Sequence, residues 1–378
     1  MISDSEKIAI LAGLADLRSD AETLARFADS ARGRWPSLTA LADENHILPF
    51  IAKNFVKNGL LELLPTKQRD EFSRLPRETA ARNMLFSDAA GEILFAAASR
   101  GVDVLPVKGV SLLDRVYQHD ERQLSDIDFF FRHPQLHEIK NLMSELGYEE
   151  EESCLPADFS DDFSGEIKFT ARRAGAAIDV EFHWDPSPSP ALKKTFEFTP
   201  DTLWSLCAGK DGRISLGPEG EFLYHIFHLA IRHSCSRLQW FLDLERLAAV
   251  SPPDWKKLNE LFIASRMTLA ARYVFRFMER FLNTQFPVAV QQLTRPGGER
   301  PDLTDQLIAA SIAGRRRVKQ SGAIPILLSE NKAAFFFSYV FPPAEFISRR
   351  YPNIPTPIAY FFRPMDIAGK IIKTGFKR

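Results

Sequence analysis

Cysteine is scarce in this 378-residue chain, with only three copies. Cys154, Cys207 and Cys235 stand far apart with no CxxC spacing. That excludes a disulfide framework and a zinc knuckle, and makes a reducing cytoplasm the expected setting. Long apolar runs are missing as well. The longest, Ala333 to Phe341, is interrupted by Ser338 and Tyr339 and stops at Pro342-Pro343. A spanning helix needs about 20 apolar residues, so no transmembrane segment is expected. The segment Met1-Ile2-Ser3-Asp4-Ser5-Glu6-Lys7 starts acidic and lacks a basic stretch ahead of an apolar one, so it does not read as a signal peptide. An excess of positive charge is absent too. Lys and Arg total 48 against 49 Asp and Glu, for a formal net charge of -1. A general nucleic-acid coat needs a strong cationic excess, so polyanion binding is not the expected main role. There is no internal repeat and no low-complexity segment.

What is present suits an ordinary globular protein: 45% hydrophobic residues, 26% charged and 31 phenylalanines. The length allows two or three domains. Residues up to about Arg100 read as helices, with Ile8, Leu11, Leu14 and Leu17, then Leu85, Ala89, Ile93 and Ala96, at helical spacing. Pro36, Pro49 and Pro65 mark the breaks. The pattern then changes. Val102 to Val107, bounded by Gly101 and Gly109, reads as a strand, followed by a helical turn from Ser111 to Tyr117. Ser125 to Phe131 reads as a second strand. Pro134 opens a helix carrying Leu136, Ile139, Leu142, Met143 and Leu146, with Gly147 as its stop. Glu166 to Thr170 and Ala177 to His183 form two further strands, a hairpin turning at Arg173-Ala174-Gly175. Helices return from about Glu219, and Phe222 to Val250 shows Leu223, Ile226, Phe227, Ala230 and Ile231, then Leu238, Phe241, Leu242 and Leu247. The expected fold is therefore α+β: a small mixed-sheet core at 99–200 between helical regions at 1–98 and 201–378.

The chemistry concentrates in Ser125-Asp126-Ile127-Asp128-Phe129. Strand alternation puts Asp126 and Asp128 on one side and Ile127, Phe129 and Phe131 on the other. Two like charges at that spacing raise each other's pKa unless a cation intervenes, and a hard divalent ion that also bridges phosphates meets this need. A surface strand with two solvated acids is the plain alternative, and the spacing by itself does not choose. Upstream, Val107-Lys108-Gly109-Val110-Ser111 lies where a strand passes into a helix, so backbone N–H groups, Lys108 and the Ser111 hydroxyl could meet phosphate. Downstream, Asp179, Glu181 and His183 alternate with Ile178, Val180 and Phe182, offering a third carboxylate from a neighbouring strand.

Together these pieces resemble the DNA polymerase β-like nucleotidyltransferase superfamily. Leu105-Pro106-Val107-Lys108-Gly109, Leu112, Tyr117, Arg122, Ser125-Asp126-Ile127-Asp128 and Leu146-Gly147-Tyr148 resemble, more closely, a bacterial family of uncharacterised nucleotidyltransferases. Glu181-Phe182-His183-Trp184, the set His228, His233, Leu238, Trp240 and Asp243, and Arg349-Arg350-Tyr351-Pro352 are similar to further elements of that family. The resemblance runs from about Leu24 to Arg363. Gly109 is followed by Val110 where the superfamily turn usually has Gly-Gly or Gly-Ser, and the interval to Asp126 is longer than in compact members. The resemblance implies a nucleotidyltransferase core that moves an NMP from an NTP to an acceptor (a small molecule, a sugar or a protein) with release of pyrophosphate. It implies two Mg2+ ions on Asp126, Asp128 and Glu181, with Asp179 as the fallback ligand. Lys108, Gly109, Ser111, Arg122 and Ser125 would bind the nucleotide, although a salt bridge is the simpler role for Arg122. An inactive nucleotide-binding regulator, or a toxin–antitoxin-type transferase acting on protein or tRNA, are the alternatives. Oligomeric state and base preference are not specified.

Among other residues, His225 and His228 lie three apart and could share a face, whereas His233 falls away from His228, so core or capping roles are expected. Trp240 and Asp243 are expected to fix the C-terminal helices against the core. Arg315-Arg316-Arg317 with Lys319 reads as a solvated face. The tail from Ile358 to Arg378 mixes Phe361, Phe362, Ile367, Ile371, Ile372 and Phe376 with five basic residues and one acid, and packing against the helical domain is favoured over a membrane-surface helix.

Overall fold

The computed structural model describes residues 2–151, 163, 165–210, 213–294, 301–315 and 323–376. Cys154, Arg316, Arg317 and Lys319 lie outside the described residues, as do the side chains of Ile371, Ile372 and Phe376. Local signals start the N-terminal helices. Ser3 opens α1 (Asp4–Ala15) with a capping box: its hydroxyl accepts from the Glu6 N–H while the Glu6 carboxylate accepts from the Ser3 N–H. Asp20 caps α2 (Ala21–Ser30). In α3 (Trp35–Glu44) and α4 (Leu48–Lys57) a proline sits in the first turn, where its missing N–H has no intrahelical partner to lose. Pro65 precedes α5 (Thr66–Ser99), which runs through Pro76 without ending. Trp35, Phe55 and Phe72 meet edge to face at 5.7, 5.9 and 6.4 Å and join α3, α4 and α5.

A five-stranded mixed sheet follows, in the order β1-β2-β5-β4-β3. Its strands are β1 (Val104–Val107), β2 (Ile127–Phe131), β3 (Glu149–Glu150), β4 (Glu166–Arg173) and β5 (Ala176–His183). β2 and β5 run parallel, and the other pairs are antiparallel. Ala174 and Gly175, both with positive φ, make the tight β4–β5 turn. The expected helical turn after β1 starts earlier, as α6 (Lys108–Leu112). α7 (Leu136–Glu145) buries Ile139, Leu142 and Met143. On one sheet face Phe182 packs against Phe129, Phe131 and Phe169, with centroids 5.2 to 5.9 Å apart. One apolar cluster continues from Ile8 to Phe335.

One expectation needs correction. Residues 201–378 are not purely helical, because Cys207–Lys210 and Arg213–Leu216 form a two-stranded sheet. The stretch Phe222 to Val250 is divided by an irregular turn. Pro218–Ile226 passes into a π-helical turn, Phe227–Arg232, then Ser234 and Cys235 take left-handed conformations before Leu238–Val250 begins. These segments lie over the second sheet face, so all five β2 positions are buried and the acidic face is not a solvated surface. The tail helix Thr356–Phe376 packs through Ala359 and Arg363, with the Arg363 guanidinium donating to the Tyr339 carbonyl. Its apolar residues at 358, 361, 362 and 365 remain exposed.

Candidate active site

Strand register decides which side chains meet. Asp128 pairs across the ladder with Val107 on one side and Glu181 on the other, and Glu181 pairs with Lys168. One pleat along, Phe130, His183 and Glu166 form the next row. Same-face neighbours therefore put Asp128, Glu181, His183, Glu166 and Lys168 together, although they come from three strands. Asp126 falls immediately before β2 instead of within it.

The charges are closely compensated. His183 Nε2 lies 3.0 Å from Asp128 Oδ1 and 3.5 Å from Glu181 Oε2, and its Nδ1 lies 3.3 Å from Glu166 Oε2. Lys108 Nζ donates to Asp128 Oδ1 at 2.6 Å. Lys168 pairs with Glu181, and Arg232 donates to Glu166 at 2.9 Å. Burial pushes the Asp128 carboxyl up, but the charges of Lys108 and His183 outweigh it and hold the group below its usual range. Glu181 is likewise held at about 2 against burial, by hydrogen bonds from His183 and Lys168. Glu166 is held at about 2 against burial by His183 and Arg232. For His183, burial and Lys108 oppose the charged ring, yet the hydrogen bonds to its three acids lift it to about 9. Asp126 differs: burial and the Asp128 charge raise it.

These groups line a cavity of about 200 Å³, which also takes in Arg122, Arg237, His228, His233 and Trp240. A larger cavity of about 310 Å³, between α1, α2 and the helix Leu238–Val250, contains none of the clustered acids. The family of uncharacterised nucleotidyltransferases matches residues 32–283, a span that covers the whole acidic cavity and well over half the chain. The chain belongs to this nucleotidyltransferase family. No curated protein and no solved structure matches it. Among the described residues no helix is long and apolar enough to cross a membrane.

In this nucleotidyltransferase the residues singled out from sequence divide into two groups. Asp126, Asp128, Glu181, Lys108, Gly109, Arg122 and Ser125 all line the cavity. Ser111 and Asp179 do not. The Ser111 hydroxyl donates to the Lys108 carbonyl at 2.8 Å, and exposed Asp179 accepts from Thr170 Oγ1 at 3.0 Å. Lys108, in a left-handed conformation rare for a residue with a Cβ, turns its ammonium onto Asp128. Arg122 is committed to Asp243: Nε and Nη2 donate to its two carboxylate oxygens at 2.8 Å each, and both residues are buried. This is the salt bridge foreseen as the simpler role, and it also shows how Asp243 fixes a C-terminal helix to the core. Gly109 serves the same contact. A Cβ there would lie 2.7 Å from Arg122 Nη1 and 2.7 Å from Leu124 Cδ2.

The histidine reading changes. The π-helical turn carries His228 and His233 onto one another at 4.2 Å between ring centroids, joined by an i→i+5 backbone bond from the His233 N–H to the His228 carbonyl. Trp240 packs against both rings, and the Arg237 guanidinium lies over Trp240. Burial, then the Lys108 charge, lowers His233 to about 3 and His228 well below its usual value, so both rings are neutral. His225 stands apart, with Nδ1 2.9 Å from the Glu221 carbonyl. Sequence reasoning missed Glu166, Lys168, Arg232 and Arg237. The alternation of Glu166 and Lys168 along β4 held a usable signal for the first two, and the turn that delivers the arginines left none.

Proposed function

We propose that the chain is a magnesium-dependent nucleotidyltransferase that moves an NMP from an NTP to an acceptor and releases pyrophosphate. One observation carries this reading: Asp128 and Glu181 face each other in register beside Asp126, in a cavity that also holds Lys168, Arg232 and Arg237. The donor set fits a divalent cation. Asp128 and Glu181 each offer a carboxylate oxygen, within 4.8 Å of one another and of the His183 ring, and carboxylate oxygens suit a hard ion. Asp126, Asp128 and Glu181 would hold two Mg2+ ions, which supply neutralisation of the triphosphate and stabilisation of the leaving pyrophosphate.

The chain's own residues supply the rest. Lys168, Arg232 and Arg237 line the cavity as a cationic wall for phosphate oxygens, and the cavity of about 200 Å³ suits the polyphosphate part of the substrate. Lys108 and His183 keep Asp128 ionised and fixed. In the transfer, an acceptor oxygen bonds to the α-phosphorus as the bond from that phosphorus to the β-bridging oxygen breaks. The acceptor proton passes to a site carboxylate. Ser125, exposed, and Asp126, half-buried, form the rim that meets the acceptor. As organisation of the chain, we propose a helical segment at 1–98 and a mainly helical one at 201–378 flanking a transferase core at 99–200.

The test is transfer of label from α-labelled NTPs to a panel of acceptors. Asp126→Asn is the better variant, because removing buried Asp128 also strips Lys108 and His183 of their partner. Asp126→Asn is expected to abolish transfer with little change in thermal stability. Wild-type transfer by the variant overturns the assignment. The Lys108–Asp128 ion pair, which compensates the acid internally, favours a second reading as a nucleotide-binding regulator. Magnesium-dependent NTP binding without pyrophosphate release across all acceptors would decide for it.

A further inference from the structure

The tail helix Thr356–Phe376 is turned the wrong way for a helix that only completes a core. Ile358, Phe361, Phe362 and Met365 recur at i, i+3, i+4 and i+7, the spacing of one helix face. An amphipathic helix on a globular body normally buries such a stripe. Here the four residues are 47, 74, 49 and 63% exposed, while among the described residues of the helix Ala359 and Arg363 are buried, at 2 and 9%, and Tyr360 donates to the Pro342 carbonyl. The helix Lys332–Val340, to which Arg363 is hydrogen-bonded, adds exposed Phe336 and Phe337, and Phe341 follows it. An apolar surface of this extent, left open by the fold, marks a docking face.

Charge selects the occupant. By sequence, the segment after Met365 carries Lys370, Lys373, Lys377 and Arg378 against Asp366 alone, in a chain whose formal net charge is -1. A two-fold contact between copies would set the same positive segment against itself. An anionic lipid surface complements it, because aromatic side chains enter the headgroup–acyl boundary while basic residues attract the headgroups. The helix is not long and apolar enough to cross a bilayer, so it would lie in the interface plane. We infer that this stripe, together with the exposed phenylalanines of the helix Lys332–Val340, docks the protein on a membrane surface rich in anionic phospholipid headgroups.

The experiment is cosedimentation of the full chain with phosphatidylcholine vesicles, with and without phosphatidylserine. Wild-type protein is expected to pellet with the phosphatidylserine vesicles, and less so as salt rises. The Phe361→Ala/Phe362→Ala variant should bind at least roughly tenfold more weakly. Ile358→Glu, which places an acid in the stripe, should do the same. Phe95→Ala, removing an aromatic 77% exposed on α5, should bind like wild type. Pelleting that ignores phosphatidylserine, or equal pelleting of the stripe variants, overturns the inference. So does a dimer in lipid-free solution that the stripe variants dissociate, or capture by an acidic protein without lipid binding.

Discussion

Replacing Asp243 with alanine should be among the most damaging single changes in the chain, although Asp243 is no part of the cavity lining. Its two oxygens accept the Arg122 guanidinium at 2.8 Å each, and the pair is almost wholly buried, Asp243 at 0% and Arg122 at 5% exposure. Such a pair adds little net stability over apolar residues of the same shape, since desolvating both ions offsets their attraction. Removing one member is different, because a buried charge is left uncompensated at a cost of about 3–5 kcal/mol. Set against a typical total of roughly 5–15 kcal/mol, that is a large fraction. Urea denaturation at unchanged m-value would measure it. The double variant Arg122→Met/Asp243→Leu removes both charges and should recover most of the loss. A drop below about 1 kcal/mol for Asp243→Ala, or a double variant no better than the single one, would refute the reasoning.

Gly109→Ala should cost about 1–3 kcal/mol, because the new methyl meets a guanidinium that Asp243 prevents from retreating. A thermal midpoint equal to wild type would count against that contact. Chelator-treated protein should show a stability plateau bounded on both sides. His183, raised from 6.5 to about 9, contributes fully below pH 6.5 and loses its contribution as pH rises through about 9. That contribution is on the order of 3 kcal/mol. Glu166 and Glu181, lowered from 4.5 to about 2, contribute above pH 4.5 and lose it as pH falls through about 2. Denaturation midpoints that stay flat from pH 6.5 to 9 would contradict the His183 assignment.

Much of the sheet was legible because strand periodicity is a local property. Ile178, Val180 and Phe182 alternate with Asp179, Glu181 and His183, and the chain needs no distant information to show it. The β4–β5 turn was equally local, since Ala174-Gly175 supplies both left-handed positions. Which acid of β5 enters the cavity was not legible. That depends on the parallel register that sets Glu181, not Asp179, beside Asp128. The meeting of His228 and His233 was not legible because ordinary helical spacing separates residues five apart, and the π-helical turn brings them together. Arg232 reaches Glu166 through tertiary packing, which no local pattern encodes. The outward face of the tail helix escaped for the same reason, as spacing shows that a stripe exists and not which way it turns.

The row Val107, Asp128, Glu181, Lys168 also limits how this protein can tolerate change. A conservative replacement at any one of these positions alters only the contacts of that side chain. Inserting or deleting a single residue within β5 shifts its pairing by one and exchanges its two faces, bringing Val180 and Phe182 to the acids and sending Glu181 into the aromatic core. Length is therefore the less forgiving variable in the strands. The tip of the β4–β5 hairpin and the connection from β2 to β4 lie outside that row. Those are the places where the chain can grow or shrink without rewriting which side chains face the cavity.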